Sequence, residues 1–235
     1  MHPQGLLFSQ CDRNRAEQSH NITHVTGDHM DSKVYTELEV MPRVNKILES
    51  GSNFEYRFIR DYRELAAVVR VLKAMGKKIV LTKGVYDLLH AGHARYIAQA
   101  RSHGDILIIS VDTDELTRKR KGDGRPIVSQ DERLEMLVHM RYTDIVILRD
   151  VTNREQEDVE IIKPAILVTS KTTADYPDET KEMLRNTLGV EIVTLEPQAE
   201  TSTTARVRKL MIDGGRDLAD QIVAFVHKFL GQKGG

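Results

Sequence analysis

The sequence predicts a doubly wound α/β fold, in which a parallel sheet of about five strands is covered by helices on both faces. Two observations predict it: short, continuously apolar runs recur along the chain, and segments with helical spacing of apolar residues alternate with them. Continuous apolar runs are typical of strands buried on both faces, and strand–helix alternation is typical of a parallel sheet. The predicted strands are, in chain order, 78–82, 106–111, 145–148, 165–169 and 191–195.

Helices are predicted between these strands. Ahead of the first strand, Asp61 and Glu64 have the spacing of a capping box, and the helix that follows is predicted to stop at Gly76. Ser129 and Glu132 have the same spacing. Arg133 beside them could reach the site or form a surface pair, and the surface position is the one expected. The remaining predicted helices are 90–101, 130–140, 153–162, 178–188 and 204–212.

The chain divides into four predicted segments. Residues 1–41 are polar without periodicity and are expected to form a disordered leader. Residues 42–76 are predicted to be a helical N-terminal extension that opens at Pro42, and residues 77–213 the main α/β domain. Residues 214–235 are predicted to be a C-terminal helix whose apolar face, including Leu218 and Ile222, packs on the domain.

Composition excludes several classes of protein. The 34 Lys and Arg residues nearly cancel the 35 Asp and Glu residues, so no overall charge attracts nucleic acid or an anionic membrane. The longest apolar runs fall well short of the ~20 residues that a membrane-spanning helix needs. A single cysteine, Cys11, excludes an internal disulfide, and the N-terminus has no apolar signal-peptide core. We therefore expect a cytoplasmic protein without a nucleic-acid partner.

The loop after the first main strand carries Lys83-Gly-Val-Tyr-Asp-Leu-Leu-His-Ala-Gly-His93. In an open parallel sheet, ligands bind beyond the carboxyl ends of the strands, where helix N-termini present N–H groups to anions. His90 and His93 share one face of the predicted helix start, and Gly92 lets a phosphate approach the backbone. Imidazoles donate hydrogen bonds to phosphate oxygens and stabilise the charge on departing pyrophosphate. The structural alternative is a pair of surface histidines that cap a helix.

This stretch, from Gly84 to His93, resembles the signature of the H-x-G-H nucleotidylyltransferases, which have a Rossmann-like fold. Farther along, Thr201-Ser202-Thr203-Thr204 resembles the S-T-[ST] tract of the same family at the start of a late helix. Hydroxyl and N–H groups at a helix start suit the phosphates of a nucleoside triphosphate, and simple N-capping is compatible with that role. Two motifs in the family's order identify the chain as a member at superfamily level.

The resemblance implies an in-line reaction in which a phosphorylated small-molecule acceptor attacks the α-phosphorus of an NTP, with Mg²⁺ as the expected cofactor and no metal ligand assigned. It also implies a homodimer, by family analogy alone. The catalytic residues that it implies are His90, His93 and Lys121, the last within the basic tract 119–127. The implied nucleotide-binding residues are Gly84, Val85, Tyr86, Asp87, Gly92, Ser202, Thr203 and Thr204, and the implied acceptor-binding residues are Asp112 and Arg125.

The identity of the nucleotide and acceptor stays open. His-Ala-Gly-His and the tract 121–126 look most like heptose-phosphate adenylyltransferases, which favours ATP and a sugar phosphate. The tract 141–146 is closer to the cytidylyltransferases, which use CTP and a phosphorylated alcohol. Each resemblance has one departure: 198–201 lacks the arginine of the cytidylyltransferases, and 168–176 lacks the glycine pair of the adenylyltransferases. A nucleotide-binding regulatory protein without turnover is the alternative from another class.

Overall fold

The computed structural model describes residues 33–49, 53–171 and 176–197, together with five helical positions near the C-terminus, 215, 218, 219, 221 and 222. Most of the predicted leader, the serine–threonine tract with Ser202, Thr203 and Thr204, the predicted helix 204–212 and most of the C-terminal helix lie outside the described residues. Leu218 and Ile222 are 59% and 54% exposed, and the rest of the apolar face lies outside the described residues, so its packing on the domain stays a prediction. Of the helices that the structure describes, none has the length and apolarity to cross a membrane.

The described residues form a six-stranded, wholly parallel sheet in the order β1-β4-β3-β2-β5-β6. The predicted α/β class and its five strands are confirmed. The additional strand, β1, pairs with β4 at one edge of the sheet. It has only two residues, so it is too short to show a hydrophobic periodicity in the sequence. The strands are β1 Phe58–Ile59, β2 Ile79–Gly84, β3 Ile106–Asp112, β4 Ile145–Arg149, β5 Ile166–Ser170 and β6 Glu191–Leu195.

The helices of the described residues mostly follow the sequence prediction, with three differences. The helix expected to open at Pro42 begins at Glu37, because Thr36 and Glu39 form a capping box, and Pro42 lies inside it. Two helices that the sequence did not predict are also present, one at Phe54–Arg57 and one that runs into the basic tract 119–127. The helices are α1 Glu37–Leu48, α2 Phe54–Arg57, α3 Tyr62–Ala74, α4 Ala91–Arg101, α5 Asp114–Lys121, α6 Gln130–Val138, α7 Glu157–Ile162 and α8 Asp178–Leu188.

Two apolar layers cover the sheet, one on each face. Alternate residues of a strand point to opposite faces, so Leu81 and Val80 belong to different layers. The first layer packs α1, α3, α7 and α8 against the sheet, and the second packs α4 and α6. Burial on both faces explains why the strands are continuously apolar in sequence.

The strand order creates a switch point beside β2. The chain runs from β2 to β3 and β4 on one side, and then crosses to β5 on the other side of β2. Neighbouring strands whose connections leave in different directions open a crevice at their carboxyl ends, where open α/β sheets bind ligands. The H-x-G-H loop leaves β2 at this crevice.

Candidate active site

His90 and His93 lie at the start of α4, beyond the carboxyl end of β2. His90 is the N-cap residue, and its Nδ1 accepts the backbone N–H of Gly92 at 3.0 Å. Because Nδ1 is the acceptor, a neutral His90 carries its proton on Nε2, which is therefore a hydrogen-bond donor. The two imidazole centroids are 4.1 Å apart, so both rings occupy the same helix start. The capping role of His90 is thus compatible with binding of an anion by the same ring.

The loop between β2 and α4 has a strained backbone. Tyr86 and Leu88 have φ values of 56° and 48°, in the left-handed region that residues other than glycine rarely adopt. The Tyr86 ring lies 5.6 Å from the His93 ring, centroid to centroid. At Gly84, a Cβ atom would lie 3.1 Å from Cε2 of the same tyrosine. Gly84 therefore makes room for the Tyr86 ring, which contacts His93.

Val85 and Tyr86 are each only 6% exposed, and burial raises the pKa of the Tyr86 hydroxyl well above its usual value. Because both side chains are buried, Val85 and Tyr86 can contact a nucleotide only through their backbone atoms. Strain held by such packing is common where a loop has been shaped for a ligand.

The Asp87 carboxylate accepts hydrogen bonds from three groups of the segment that follows α5. Its carboxylate accepts the backbone N–H groups of Ile127 and Val128 at 3.1 and 3.0 Å, and it pairs with Nη1 of Arg125 at 2.8 Å. Burial by itself raises the pKa of Asp87, but these donors hold the pKa below its usual value. The structure therefore joins Asp87, assigned to the nucleotide, to Arg125, assigned to the acceptor.

Asp112, the other acceptor candidate, has a side chain with no exposed surface and lies between two arginines. Its Oδ1 accepts hydrogen bonds from Nε and Nη2 of Arg149 at 3.0 and 2.6 Å. Its Oδ2 lies 2.5 Å from Nη1 of Arg120. Burial lowers the pKa of Arg149, but Asp112 outweighs that effect and raises the pKa above its usual value. Asp112 thus positions two guanidinium groups at the carboxyl edge of the sheet.

Arg133 is buried, with 1% of its surface exposed, so its predicted surface position is wrong. Its guanidinium donates to the carbonyls of Val85, Asp112 and Val128 at 2.5, 3.0 and 3.0 Å, and it pairs with Asp114 at 2.7 Å. These partners come from the loops after β2 and β3 and from the segment before α6. One side chain therefore fixes three segments that border the site.

The sequence did offer a signal for this burial. Arg133 stands one helical turn before Leu137 and next to Leu134, on the buried side of α6. Charge alone made it look like a surface residue.

Lys83 and Asp158 form a buried ion pair that the sequence reasoning missed. Nζ of Lys83 lies 2.6 Å from Oδ1 of Asp158, and the two side chains are 1% and 0% exposed. Ser110 donates to Oδ2 of Asp158 at 2.7 Å, and Gln156 accepts from Lys83 at 3.2 Å. Burial lowers the pKa of Lys83, although Asp158 opposes that shift. The signal in the sequence was a lysine at the end of a continuous apolar run.

Lys121 is the last residue of α5 and is exposed. The last turn of this helix is wholly basic, and it ends at Gly122 with a φ of 92°. Cations are stabilised at a helix C-terminus by the helix dipole, so the basic tract has a local structural basis as well as the predicted catalytic one. The chain then leads directly into the segment that Asp87 holds.

Among the described residues, no cluster of side chains would by itself enclose a metal ion. Within 33–49, 53–171 and 176–197, no group of three or more His, Cys, Asp or Glu side chains is arranged around a common point. Asp87 and Asp112, the carboxylates assigned to the site, are each bonded to arginine. A magnesium ion usually takes only one or two protein carboxylates and otherwise binds water and substrate phosphates.

The chain is similar to known proteins in sequence. The family model described as cytidylyltransferase-like matches residues 81–209. Similar relatives include the bifunctional protein HldE of Aliarcobacter butzleri, 32% identical over 172 residues that cover 73% of this chain and 34% of the relative. The bifunctional protein HldE of Campylobacter curvus is 35% identical over 168 residues, which cover 71% of this chain and 34% of the relative. The chain thus spans about a third of the length of these curated relatives.

Among solved structures, the lipopolysaccharide core biosynthesis protein from Thermoplasma volcanium GSS1 is 24% identical, with a TM-score of 0.46. The likeness covers 54% of this chain and 100% of that one. The family match itself covers more than half of the sequence, from within β2 to beyond the serine–threonine tract. Since that span contains both motifs that carried the resemblance, the chain belongs to the cytidylyltransferase-like family.

Proposed function

We propose that this chain transfers a nucleoside monophosphate from ATP to a phosphorylated acceptor of the sugar-phosphate class and releases pyrophosphate. The observation that carries the proposal is the pair of imidazoles, 4.1 Å apart, at the start of α4 and at the switch point of the sheet. That position combines backbone N–H groups, a helix dipole and two imidazole rings, all of which favour a polyphosphate.

In the proposed reaction, an oxygen of the acceptor phosphate forms a bond to the α-phosphorus. The bond from the α-phosphorus to the bridging oxygen breaks, and the electron pair leaves with pyrophosphate. His90 donates through Nε2, and His93 and Lys121 stabilise the charge that develops on the phosphates. Ser202, Thr203 and Thr204 are proposed to hold the triphosphate, and Gly92 admits it to the backbone. Such phosphoryl chemistry depends on positioning and charge stabilisation and needs no covalent intermediate.

Two observations support ATP and a sugar phosphate as substrates. The His-Ala-Gly-His and 121–126 tracts look like heptose-phosphate adenylyltransferases, and the similar relatives share the name bifunctional protein HldE. Mg²⁺ stays an expected cofactor, and we assign it no ligand and no step. A cytoplasmic location and a homodimer stay predictions.

CTP with a phosphorylated alcohol is the second candidate. The description of the matching family model and the tract 141–146 both favour it. It uses the same site and the same bond changes, so only the substrate assay separates it from the first candidate.

The test is pyrophosphate release by the full chain with ATP or CTP and a panel of sugar phosphates and phosphorylated alcohols. We expect turnover with ATP and a sugar phosphate, and a loss of ~10²-fold in His93→Ala, since a well-placed donor to the transition state contributes about that much. His103→Ala is the matched control, because His103 follows the opposite end of α4. Full turnover in His93→Ala would refute the site.

A thermal-unfolding screen of each NTP separates binding from turnover. A ligand at 100 times its dissociation constant stabilises the folded protein by ~2.7 kcal/mol. Stabilisation by an NTP, with no pyrophosphate from any acceptor, would establish the regulatory alternative instead of the transferase.

A further inference from the structure

Three aromatic rings lie in contact at the start of α4. The imidazole of His93 touches both of the others, with its centroid 4.1 Å from that of His90 and 5.6 Å from that of Tyr86. The planes of the Tyr86 and His93 rings are inclined by 56°. Aromatic rings attract each other at such distances and tilts. Two neighbouring rings therefore limit the orientations that the His93 side chain can adopt.

The Tyr86 ring is itself held in place by the protein. Tyr86 is 6% exposed, and its backbone has a φ of 56°. On one side of it in sequence, the carbonyl of Val85 accepts a hydrogen bond from the buried guanidinium of Arg133. On the other side, the carboxylate of Asp87 is bonded to the segment that follows α5. Contacts on both sides thus maintain a backbone conformation that is costly by itself.

The ring of Tyr86, and not its hydroxyl group, has a partner that explains this arrangement. The hydroxyl is buried and makes no hydrogen bond with the residues that the structure describes. A buried hydroxyl without a partner lowers stability, so it gives no reason to hold the side chain here. The ring contacts His93, and Gly84 leaves the space that the ring needs.

We propose that Tyr86 is a positioning residue whose aromatic ring holds the His93 imidazole in its working orientation, and that its hydroxyl group is not required. This inference rests on the proposed function, in which His93 stabilises the charge that develops on the phosphates. The resemblance assigned Tyr86 to the nucleotide, whereas its buried side chain acts through His93. A displacement of about 1 Å at a catalytic group can lower a rate ~10²-fold, so the ring matters for turnover.

The first test is steady-state kinetics with whichever NTP and acceptor support turnover. Tyr86→Leu removes the ring and is expected to lower kcat by about 10- to 100-fold, because His93 is displaced. The KM of each substrate should stay within about twofold, since the lost interaction belongs to the transition state. Tyr86→Met, which is also unbranched at Cβ and has no ring, replaces Tyr86→Leu if that variant does not fold.

Two further variants complete this test. Tyr86→Phe keeps the ring and should retain the kcat of wild type. Tyr62→Leu is the control for loss of a ring, because Tyr62 packs in the first apolar layer, on the other face of the sheet, and should also retain kcat. A fall in Tyr86→Phe as large as in Tyr86→Leu would assign the role to the hydroxyl and overturn the proposal. Wild-type kcat in Tyr86→Leu would overturn it as well.

A double-mutant cycle decides whether Tyr86 acts through His93. When His93→Ala has removed the imidazole, the ring of Tyr86 has nothing to position. Adding Tyr86→Leu should then lower kcat by less than about twofold further. Losses that multiply in the double variant would show that Tyr86 supports the loop in general, and the proposal would be wrong.

NMR spectra of the histidine side chains test the geometry without any substrate. The His93 ring signals should move in Tyr86→Leu and remain close to those of wild type in Tyr86→Phe, while the signals of His103 stay unchanged in both. His93 signals that do not move in Tyr86→Leu would contradict the proposal. If the wild type releases no pyrophosphate with any substrate pair, the proposed function fails, whereas the spectra still decide whether Tyr86 orients His93.

Discussion

The carboxylate of Asp87 and the guanidinium of Arg125 meet at 2.8 Å and join the H-x-G-H loop to the segment after α5. Asp87 also accepts the N–H groups of Ile127 and Val128, so the segment is held along its backbone as well as by charge. This relationship places the end of the basic tract beside the loop that carries the histidines. It is one of the described contacts that connect the segment following Lys121 with the loop that carries His90 and His93.

Asp87→Asn is expected to lower the free energy of unfolding at pH 7 by about 1–3 kcal/mol, because it weakens a charge-assisted set of hydrogen bonds at a buried oxygen. The pKa of Asp87 lies below its usual value of 3.8 in the folded protein. The stabilisation from a carboxylate with a depressed pKa is complete above its unfolded pKa and disappears as the pH falls through the folded value.

Urea unfolding from pH 7 to pH 3 therefore checks the assignment. The difference between wild type and Asp87→Asn should shrink below about pH 4. Asp123→Asn, at an exposed position in the same segment, is the control and should change the free energy of unfolding at pH 7 by less than about 0.5 kcal/mol. A difference of constant size across the whole range would mean that the Asp87 carboxylate does not provide the stabilisation.

The fold was predictable because its signals are local. The run Ile79–Leu81 is apolar without a break, and Leu65, Val68 and Leu72 recur at helical spacing, so strand and helix are each visible within a few residues. The sequence analysis missed the edge strand β1 because it is only two residues long. It placed the start of α1 too late because the capping box that begins this helix lies before Pro42.

The sequence predicted the histidine motif of the candidate site, but it did not predict which charged side chains form ion pairs around it. His90 and His93 stand together in the sequence, so their shared helix start followed from spacing alone. Asp112 and Arg149 are far apart in sequence and meet only because β3 and β4 are neighbours in register. A single sequence shows that a charge ends an apolar strand, but it does not show which opposite charge faces it.

His90→Asn separates the two roles of His90. Asparagine is a favoured N-cap residue, so the Gly92 N–H keeps an acceptor and the free energy of unfolding should stay close to that of wild type. The Nε2 donor is lost, and turnover should fall by ~10²-fold. His90→Ala should lose the same turnover and in addition about 1 kcal/mol of stability, because the cap is removed too.

Chemical denaturation and pyrophosphate release, measured on both His90 variants, give the two readouts. His103→Ala serves again as the control for a histidine outside the site. Wild-type turnover in His90→Asn would show that His90 only caps the helix.

Arg133→Met should be among the most destabilising single changes near the site. It removes donors from the carbonyls of Val85, Asp112 and Val128 and leaves the Asp114 carboxylate without its buried partner. Breaking a buried network of this kind costs about 3–5 kcal/mol. Arg118→Met, at an exposed position of α5, should change the free energy of unfolding by less than about 0.5 kcal/mol. Urea titration of both variants measures the contrast, and equal effects would show that the Arg133 contacts contribute little.

A double-mutant cycle on Lys83 and Asp158 measures the buried ion pair. Lys83→Met leaves Asp158 buried without its cation, and the expected loss is about 3–5 kcal/mol. Lys83→Met combined with Asp158→Leu should recover most of that loss, since replacing both charges with apolar groups is often nearly neutral. The recovery should stop about 1 kcal/mol short, because Ser110 loses the acceptor of its hydroxyl group.

The matched control is the same cycle on Lys171 and Glu196, a pair whose side chains are 59% and 66% exposed. Water screens exposed pairs, so their coupling is expected to be about 0–1 kcal/mol. Urea unfolding of the wild type and the six variants gives both coupling energies under one set of conditions. If the coupling of Lys83 with Asp158 is no larger than that of the surface pair, water reaches the two charges at the end of β2.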